Sequence, residues 1–362
     1  MTELTTAAAL NTGLRRALLD DPRVVLLGED IGRLGGVFRV TDHLQREFGP
    51  YRVVDTPLAE SGILGTAVGM AWRGLRPVVE IQFDGFAAPA FDQIVNQVAR
   101  IHARTGGRVR MPITVRIPVA GGIGAAEHHS ESPEAYYVHT AGLRVVSVSN
   151  PQDACTVLRQ AVACDDPVIF FEPKRLYHVK GPVEVVDLAD AAPMSAARVV
   201  RPGDDVTVVT WGSHVATALD AAEAMSDDGT SVEVVDLRSL SPWDVVTVTA
   251  SVRRTGRLLV VHEGARQAGV GADVCAVVTE TCFPDLVAPP LRVTGHDVPY
   301  PPARLEAHQV PDLDRVCHGL DQVLGRIPLD VPVPTAPPSR PVPVPAAARP
   351  GVPAGSGTDV AA

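Results

Sequence analysis

The amino-acid sequence predicts an α/β protein with two doubly wound domains, each built around a mostly parallel sheet. Short apolar runs rich in Val and Ile alternate with longer amphipathic segments, and this series occurs twice along the chain. Such alternation is typical of parallel strands joined by helices that cover both faces of a sheet. The length of 362 residues agrees with this organisation, since one domain has roughly 150 residues.

The first series contains the predicted strands and helices of one domain. We expect strands at 24–27, 52–55, 78–83, 113–119, 144–148 and 168–171, and helices at about 57–73, 86–104 and 151–163. Each strand is a short run of mostly branched aliphatic residues, and each helix has apolar residues at helical spacing. The weakly patterned stretch 173–203 predicts a linker region.

The second series predicts a similar domain. We expect strands at 206–210, 232–236, 258–262 and 291–294, and helices at 213–226, 243–254, 271–282 and 312–326. The predicted organisation is a domain at 1–185, a linker at 186–200, a domain at 201–326 and a tail at 327–362. Ten prolines from Pro328 to Pro353 predict an extended, disordered tail, because proline can neither donate to a sheet nor continue a helix.

The composition excludes several classes of function. A formal net charge of -10 argues against nucleic acid as the main partner, since phosphate binding needs a basic face. No apolar run reaches the roughly 20 residues of a membrane span, and the N-terminal segment lacks the order of a signal peptide. The cysteines form no CxxC pair, which predicts reduced thiols in a soluble cytoplasmic protein. They are Cys155, Cys164, Cys275, Cys282 and Cys317.

The segment 121–133, GGIGAAEHHSESP, is the most informative part of the sequence. It follows a predicted buried strand, and loops at strand ends carry the chemistry of many α/β proteins. Its glycines allow sharp turns, while His128 and His129 are suited to proton transfer near neutral pH. An ordinary polar loop is the alternative. No HExxH or GxSxG pattern accompanies the histidines, which argues against a zinc enzyme and a serine hydrolase.

A second candidate is the segment 55–70, DTPLAESGILGTAVGM, where a predicted strand ends and a helix begins. Glu60 lies near the helix N-terminus, and Gly65 and Gly69 share one helix face. Glycine inside a helix costs about 1 kcal/mol relative to alanine, so these glycines predict another backbone packed closely against them. A carboxylate at such an interface can exchange a proton with a heterocyclic nitrogen. The alternative is an exposed first-turn glutamate favoured by the helix dipole.

A third candidate is Phe86, which follows the predicted strand 78–83 and opens the next predicted helix. An aromatic ring in this position can stack on a flat ligand ring. Ordinary packing in the core is the alternative, and both interpretations stay open on this segment alone.

In their order along the chain, the motifs resemble those of one family. The first half has LLGEDIG at 26–32, GGVFRVTDHL at 35–44, DTPLAESGILGTAVGM at 55–70, GLRPVVEIQFDGF at 74–86, EHHSESPEAYYVHTAGLRVV at 127–146 and DDPVIFFEPKRLY at 165–177. The second half has RPGDDVTVVTWGS at 201–213, VVDLRSLSPWD at 234–244, VVHEG at 260–264 and PYPP at 299–302. Over about residues 3–326 the chain resembles the β subunit of the thiamine-diphosphate-dependent decarboxylating component of 2-oxoacid dehydrogenase complexes.

The resemblance implies a transketolase-like fold. Residues 1–185 would bind the aminopyrimidine of thiamine diphosphate, and residues 201–326 would form the C-terminal domain. It also implies an α2β2 heterotetramer, in which the α subunit holds the diphosphate and Mg²⁺ through a GDG…N motif. No GDG occurs in this chain, so we expect productive cofactor binding only with an α subunit. A lipoyl-bearing acyltransferase core is the other expected partner.

The resemblance also implies roles for individual residues. Glu60 resembles the glutamate that faces N1′ of the aminopyrimidine, and Phe86 resembles the aromatic residue that stacks on this ring, with Gln82 nearby. His129 resembles the active-site histidine near the thiazolium and the lipoyl group, whereas His128 has no assigned role. A structural K⁺ would be held by the backbone carbonyls of Ile113, Ala161, Cys164 and Asp166.

The expected substrates are 2-oxoacids with branched side chains. EHHSESPEAYY and DDPVIFFEPKRLY look closer to the branched-chain enzymes, so we expect 3-methyl-2-oxobutanoate and its two relatives with longer side chains. Pyruvate or acetoin is the alternative. A non-catalytic assembly subunit is an alternative of another class, which the joint presence of Glu60, Phe86 and His129 disfavours. A further hypothesis makes residues 328–362 a docking arm.

Overall fold

The computed structural model describes residues 1–330, and residues 331–362 lie outside the described part. The predicted disorder of the tail and its role as a docking arm concern mostly these outer residues, so both stay predictions. Residues 1–328 form one compact unit. This unit contains a seven-stranded sheet, a five-stranded sheet and a two-stranded ribbon. The predicted α/β architecture with two mostly parallel sheets is confirmed.

The strands are numbered in chain order. They are β1 (Thr2–Thr5), β2 (Val24–Gly28), β3 (Val53–Asp55), β4 (Arg76–Glu80), β5 (Thr114–Val119), β6 (Arg144–Ser147), β7 (Val168–Pro173), β8 (Lys180–Val183), β9 (Arg198–Arg201), β10 (Val206–Thr210), β11 (Val232–Asp236), β12 (Ser239–Ser241), β13 (Leu258–Ala265) and β14 (Leu291–Gly295).

The α-helices follow the same numbering. They are α1 (Thr6–Asp20), α2 (Leu44–Phe48), α3 (Glu60–Trp72), α4 (Ile101–Arg104), α5 (Glu134–Val138), α6 (Pro151–Ala163), α7 (His214–Ser226), α8 (Val245–Thr255), α9 (Val270–Cys282), α10 (Glu306–Gln309) and α11 (Leu313–Val323). Among residues 1–330, none of the helices has the length and apolar character needed to cross a bilayer.

The seven-stranded sheet has the order β12-β6-β7-β5-β4-β2-β3. Its six strands from the first half of the chain are parallel, and every residue of β2, β5 and β7 is buried. Continuous burial is expected where helices cover both faces of a parallel sheet. The antiparallel edge strand β12 comes from the second half of the chain, so the two halves share this sheet.

The five-stranded sheet has the order β14-β13-β10-β11-β9. Four of its strands are parallel, and β9 is antiparallel at one edge. The helices α7, α8, α9 and α11 lie close to the predicted segments. The bounds of helix α8 are set by residues of its own segment. At its start Asp244 accepts a hydrogen bond from the Thr247 N–H at 3.0 Å, and at its end Gly256 has a φ of 70°.

The predicted helix 151–163 is confirmed as α6. Its N-cap Asn150 accepts a hydrogen bond from the Asp153 N–H at 2.9 Å, and Pro151 stands in the first turn, where its missing N–H leaves no donor unpaired. Helix α1, by contrast, was absent from the sequence prediction. Its Leu10, Leu14 and Leu18 are buried at a spacing of four residues.

The predicted helix at about 86–104 is confirmed only in part, because the helical segments are irregular and interrupted. The chain forms a 3₁₀ turn at Asp84–Ala87, a π-helical segment at Gln93–Val98 and then the short helix α4. The reason is tertiary: the Asp84 carboxylate bonds to Lys174 and to the backbone of Glu131, which fixes the turn. Irregular helical geometry of this kind is frequent at functional sites.

The predicted linker region 173–203 contains two strands. β8 pairs with β1, and β9 pairs with β11. Both pairs are antiparallel and involve partners distant in the chain, which is why the local pattern is weak. The predicted domain boundaries at 185 and 201 stay a prediction.

Candidate active site

Four neighbouring strands end side by side and carry the candidate residues. The strands β5, β4, β2 and β3 are adjacent and parallel, so their carboxyl ends lie at one edge of the sheet. Glu60 follows β3, Gln82 and Phe86 follow β4, and His129 follows β5. The carboxyl ends of parallel strands are the usual position of a ligand site in α/β proteins.

Glu60 and Glu29 are two buried carboxylates in this region. Each residue is only 7% exposed, and Glu60 is the first residue of α3. Burial raises the pKa of Glu29, and the nearby charge of Glu60 raises it further. The Oε1 atom of Glu29 is buried without a hydrogen-bond partner among the described residues. An unsatisfied buried oxygen beside a second carboxylate is typical of a site that binds a ligand or a proton.

Gln82 holds the backbone next to this pair. Its Nε2 atom donates to the carbonyl oxygen of Glu29 at 3.3 Å and to Oδ2 of Asp30 at 3.2 Å. Asp30 has a φ of 58°, which is rare for a residue with a side chain. The amide of Gln82 therefore fixes the turn that presents Glu29 beside Glu60.

Two phenylalanine rings contact the predicted histidine. The His129 ring stacks on Phe83 with 4.0 Å between centroids, and it meets Phe86 edge-on at 5.0 Å. Phe83 and Phe86 meet edge-on at 5.9 Å. Nδ1 of His129 lies 2.9 Å from the carbonyl oxygen of His128. The structure therefore brings Phe86 and His129 together, while the exposed His128 lies at the rim.

Residues 120–131, called the histidine loop below, are anchored at their base. The N–H of Ala120 donates to the carbonyl of Glu131 at 2.8 Å, and the N–H of Glu131 donates to Oδ2 of Asp84 at 2.8 Å. Nζ of Lys174 donates to Oδ1 of the same Asp84 at 2.9 Å. Burial raises the pKa of Asp84 and lowers the pKa of Lys174, and their mutual attraction opposes both shifts.

Two carboxylates from the second half of the chain bind the glycine end of the histidine loop. The N–H of Gly121 donates to Glu263 at 2.6 Å. The N–H groups of Gly122 and Gly124 donate to the two oxygens of Glu306, at 2.7 and 3.0 Å. Neither glutamate was among the residues predicted from the sequence. Glu263 lies in the VVHEG motif at a strand end, but no local pattern distinguishes Glu306.

The glycine face predicted on α3 is exposed. Gly62, Gly65 and Gly69 are all exposed along this helix, and so is Trp72 at its end. A Cβ atom added to Gly69 meets nothing within 4 Å, and one added to Gly65 would lie 3.7 Å from Oε1 of Gln93. No packing within the described residues therefore explains Gly69, and the predicted close contact with another backbone stays a prediction.

The four backbone positions predicted for K⁺ lie at one end of the sheet. The carbonyl of Ile113 accepts from the N–H of Val168 at 2.9 Å, and that of Ala161 accepts from the N–H of Cys164 at 3.2 Å. The carbonyl of Cys164 accepts from Nη1 of Arg76 at 2.9 Å. Each of these carbonyl oxygens has a second lone pair, so the hydrogen bonds do not prevent it from binding a cation. Binding of K⁺ at these positions stays a prediction. No cluster of three or more His, Cys, Asp or Glu side chains in residues 1–330 is suited to a metal ion.

A cavity of about 650 Å³ lies outside this group, between Phe91, Glu134, Trp211 and His262. The ring of His262 stacks on Trp211, and burial lowers the pKa of His262 to about 3. Burial raises the pKa of Glu134 to about 7, although its Oε1 accepts from the Trp211 indole at 3.2 Å. His262 is therefore neutral and buried.

Comparisons with known proteins agree with this geometry. The transketolase pyrimidine-binding domain family matches residues 2–180, and the transketolase C-terminal domain family matches residues 195–316. A pyruvate dehydrogenase E1 component subunit beta from Leifsonia xyli is 55% identical, with 87% of this chain and 93% of that protein covered. A 3-methyl-2-oxobutanoate dehydrogenase subunit beta from Mycobacterium tuberculosis is 53% identical, with 89% and 92% covered.

The chain belongs to the E1 β subunits of 2-oxoacid dehydrogenases. The predicted family is confirmed, and with it the predicted class of thiamine-diphosphate-dependent oxidoreductase. A third relative, the 2-oxoisovalerate dehydrogenase subunit beta from Pseudomonas aeruginosa, is 45% identical, with 83% of this chain and 89% of that protein covered.

A solved structure supports the fold of this E1 β subunit. A split-gene transketolase, described as an inactive beta4 tetramer, superposes with a TM-score of 0.72. It covers 89% of this chain and 98% of its own, at 23% sequence identity. The predicted transketolase-like fold is confirmed, whereas the roles of Glu60, Gln82, Phe86 and His129 stay predictions.

Proposed function

We propose that this chain is the β subunit of a branched-chain 2-oxoacid dehydrogenase, which decarboxylates 3-methyl-2-oxobutanoate and its two relatives with longer side chains. The observation that carries the proposal is the convergence of Glu60, Gln82, Phe86 and His129 at neighbouring strand ends. A purely structural assembly subunit has no need of both a buried carboxylate pair and a half-buried histidine at neighbouring strand ends. Residues 1–185 and 201–326 are the two domains of this proposal.

Glu60 is the residue proposed to activate the cofactor. Thiamine diphosphate, when bound, supplies the electron sink for decarboxylation. The residues present fit this group, since a buried carboxylate lies at the first turn of α3 and the neighbouring Glu29 has an unpaired oxygen. Glu60 holds and exchanges the proton at N1′ of the aminopyrimidine. Gln82 maintains the turn at Glu29, and Phe86 offers a ring face to the pyrimidine.

His129 is proposed to move a proton when the acyl group passes to a lipoyl group. Its ring is half-buried between Phe83 and Phe86, and its loop lies at the end of β5. An imidazole that is held by aromatic contacts yet reachable from solvent can exchange protons with an incoming substrate. His128 has no role in the proposal.

The exposed glycine face of α3 is the proposed contact with an α subunit. Glycines let two backbones approach closely, and Gly65 and Gly69 are exposed one turn apart on this face, whereas the buried Glu60 lies at the start of the same helix. In the proposed α2β2 heterotetramer, the α subunit holds the diphosphate and Mg²⁺, because this chain has no GDG motif. A lipoyl-bearing acyltransferase core accepts the acyl group, and K⁺ at the Ile113 carbonyl cluster is a further proposal. The cytoplasm is the proposed location.

Pyruvate is the second candidate substrate. The 55% identical relative from Leifsonia xyli is named a pyruvate dehydrogenase subunit, which favours pyruvate. The relatives at 53% and 45% identity are named for branched-chain substrates, which favours 3-methyl-2-oxobutanoate. We propose the latter because EHHSESPEAYY and DDPVIFFEPKRLY also look closer to that type.

The first test isolates the tagged chain from its native cells and assays the material with thiamine diphosphate, Mg²⁺ and separate 2-oxoacids. We expect an α subunit to co-purify and the highest kcat/KM with 3-methyl-2-oxobutanoate. We expect Gly69→Leu to lose the α subunit while the chain keeps its melting temperature, because the added side chain points into open space in this chain.

Ala224→Leu is the control, since it places a leucine side chain at an exposed position of another helix, α7. It should keep the α subunit. A higher kcat/KM with pyruvate would contradict the proposed branched-chain substrate and would leave the proposed mechanism unchanged. A chain that purifies alone, while its α partner is active without it, would contradict the proposed function.

His129→Ala is expected to slow acyl transfer to lipoamide by about 10²-fold, a typical loss for a general acid or base. Decarboxylation followed with an artificial oxidant should fall less than tenfold, because that assay needs no lipoyl group. Both rates are to be measured on the assembled enzyme. If neither rate changes, the histidine serves only to pack against Phe83 and Phe86.

A further inference from the structure

The histidine loop is bound at its glycine end by charged acceptors from the second half of the chain. The donors are the backbone N–H groups of Gly121, Gly122 and Gly124, and the acceptors are Glu263 and Glu306. Hydrogen bonds that involve an ionised partner are about twice as strong as neutral ones. These contacts therefore fix the backbone from which His129 projects five residues later.

Glu306 contributes both of its carboxylate oxygens to this contact. The residue is 9% exposed and its two carboxylate oxygens accept from two different glycines, while Oε1 also accepts from the Tyr300 hydroxyl at 2.8 Å. A Cβ atom on Gly121 would overlap the Tyr300 hydroxyl. The close fit of Tyr300 and Glu306 against bare backbone explains why this end of the loop is glycine.

Glu263 is held in a similar way. Nη2 of Arg175 donates to Oε2 of Glu263 at 3.0 Å and to the Ser213 hydroxyl at 2.8 Å. Burial raises the pKa of Glu263, whereas Arg175 and the Gly121 N–H favour its ionised form. The side chain of Arg175 also fills the space that a Cβ atom on Gly122 would need.

The loop needs such anchors because its backbone is intrinsically adaptable. Ala120, Gly122 and Gly124 have φ values of 69°, 87° and 69°, and glycine loses the most conformational freedom when it is ordered. Without external acceptors, the buried N–H of Gly121 would also lose its hydrogen bond. Order in this part of the loop thus depends on groups that lie 142 to 184 residues away in the sequence.

We propose that Glu306 and Glu263 are positioning residues, through which the second half of the chain sets the place of His129 for acyl transfer. The inference rests on the role of His129 in the proposed function. Neither glutamate touches the substrate in this proposal. They act by accepting hydrogen bonds from the backbone N–H groups of Gly121, Gly122 and Gly124.

Hydrogen–deuterium exchange on the assembled enzyme tests the contact without any assay of activity. We expect the amides of residues 121–124 to exchange at least about tenfold faster in Glu306→Ala than in the parent, since charged hydrogen bonds are lost. Glu306→Gln keeps the size and one acceptor oxygen, and its exchange rate should lie between the two. Glu280→Gln, at an exposed site on α9, is the matched control and should leave the loop unchanged.

Activity of the same variants tests the consequence. We expect acyl transfer to lipoamide to fall about tenfold in Glu306→Ala, mostly through kcat, with partial rescue in Glu306→Gln. Decarboxylation with an artificial oxidant should change less than threefold. Unchanged exchange in Glu306→Ala would overturn the inference, and so would faster exchange combined with normal acyl transfer.

The His129→Ala enzyme separates this inference from the proposed function. If His129→Ala is impaired in acyl transfer and Glu306→Ala is not, the positioning role is wrong while the histidine keeps its role. If His129→Ala is normal, the role of the histidine is wrong, and the positioning of that residue for catalysis is overturned with it.

Discussion

Replacement of Glu60 by Gln is expected to lower kcat of the assembled enzyme by about 10³-fold, within the range for loss of a general acid or base. The amide keeps the size of the side chain and leaves the first turn of α3 in place. It cannot exchange the proton at N1′, so binding of the α subunit should persist while turnover is lost. Steady-state kinetics and size-exclusion chromatography measure the two properties separately.

Glu280→Gln is again the suitable control, because it removes one carboxylate from an exposed helix position. It should keep both assembly and turnover. A Glu60→Gln enzyme with normal kcat would disprove the assignment, and loss of the α subunit would show that the residue serves the interface instead. Proton exchange at the cofactor, followed by NMR on the assembled enzyme, gives a readout independent of later steps.

Arg116→Met is expected to cause the largest loss of stability. Nη1 of Arg116 bonds to Glu80 at 2.5 Å, and Nε and Nη2 bond to Glu172 at 2.7 and 3.0 Å. All three side chains are buried in the seven-stranded sheet, and Tyr177 adds a hydrogen bond to Glu172 at 2.7 Å. Removing one partner of a buried ion pair costs about 3–5 kcal/mol, because the remaining charges lose their counterion. Chemical denaturation measures the change in the free energy of unfolding.

The loss should depend on pH. Burial raises the pKa of Glu80 above its unfolded value, and Arg116 opposes this rise. Without Arg116 the folded-state pKa rises further, so the stability present at low pH is lost as pH rises through that pKa. The decrease in the free energy of unfolding of Arg116→Met relative to the parent should therefore be larger at pH 8 than at pH 5. A constant difference would contradict the electrostatic explanation.

Two further variants keep this prediction testable if Arg116→Met folds poorly. The combination of Arg116→Met with Glu80→Gln and Glu172→Gln removes every charge of the group and should recover part of the stability. Arg16→Met is the control, since Arg16 pairs with Asp20 on the surface and exposed ion pairs contribute little. Its unfolding should match that of the parent.

Much of the fold was predictable because its information is local. The strand β5 and the helix α6 follow from short runs of residues, and α6 has its own cap in Asn150. Local pattern failed where distant contacts decide the conformation. The π-helical segment at Gln93–Val98 follows a turn that Asp84 ties to Lys174 and Glu131, and no periodicity within 86–104 carries that information.

The candidate site shows the same division. Glu60, Phe86 and His129 were found from the sequence because each lies in a motif at the end of a predicted strand. Glu29 had the same signal, a carboxylate directly after a buried strand, but its importance depends on its closeness to Glu60. Glu306 had no signal, because its function depends on a loop 182 to 184 residues away.

The sequence by itself determined the α/β class and the family, and it predicted the side chains proposed to perform the chemistry. Hydrophobic periodicity and motif spacing are properties of neighbouring residues, and they persist in the unfolded chain. The tertiary structure alone decided that the two halves share a sheet through β12, and that Glu263 and Glu306 hold the histidine loop. Such contacts exist only after packing has brought distant backbone and side-chain groups within hydrogen-bonding distance, since buried polar groups must find partners wherever the fold places them.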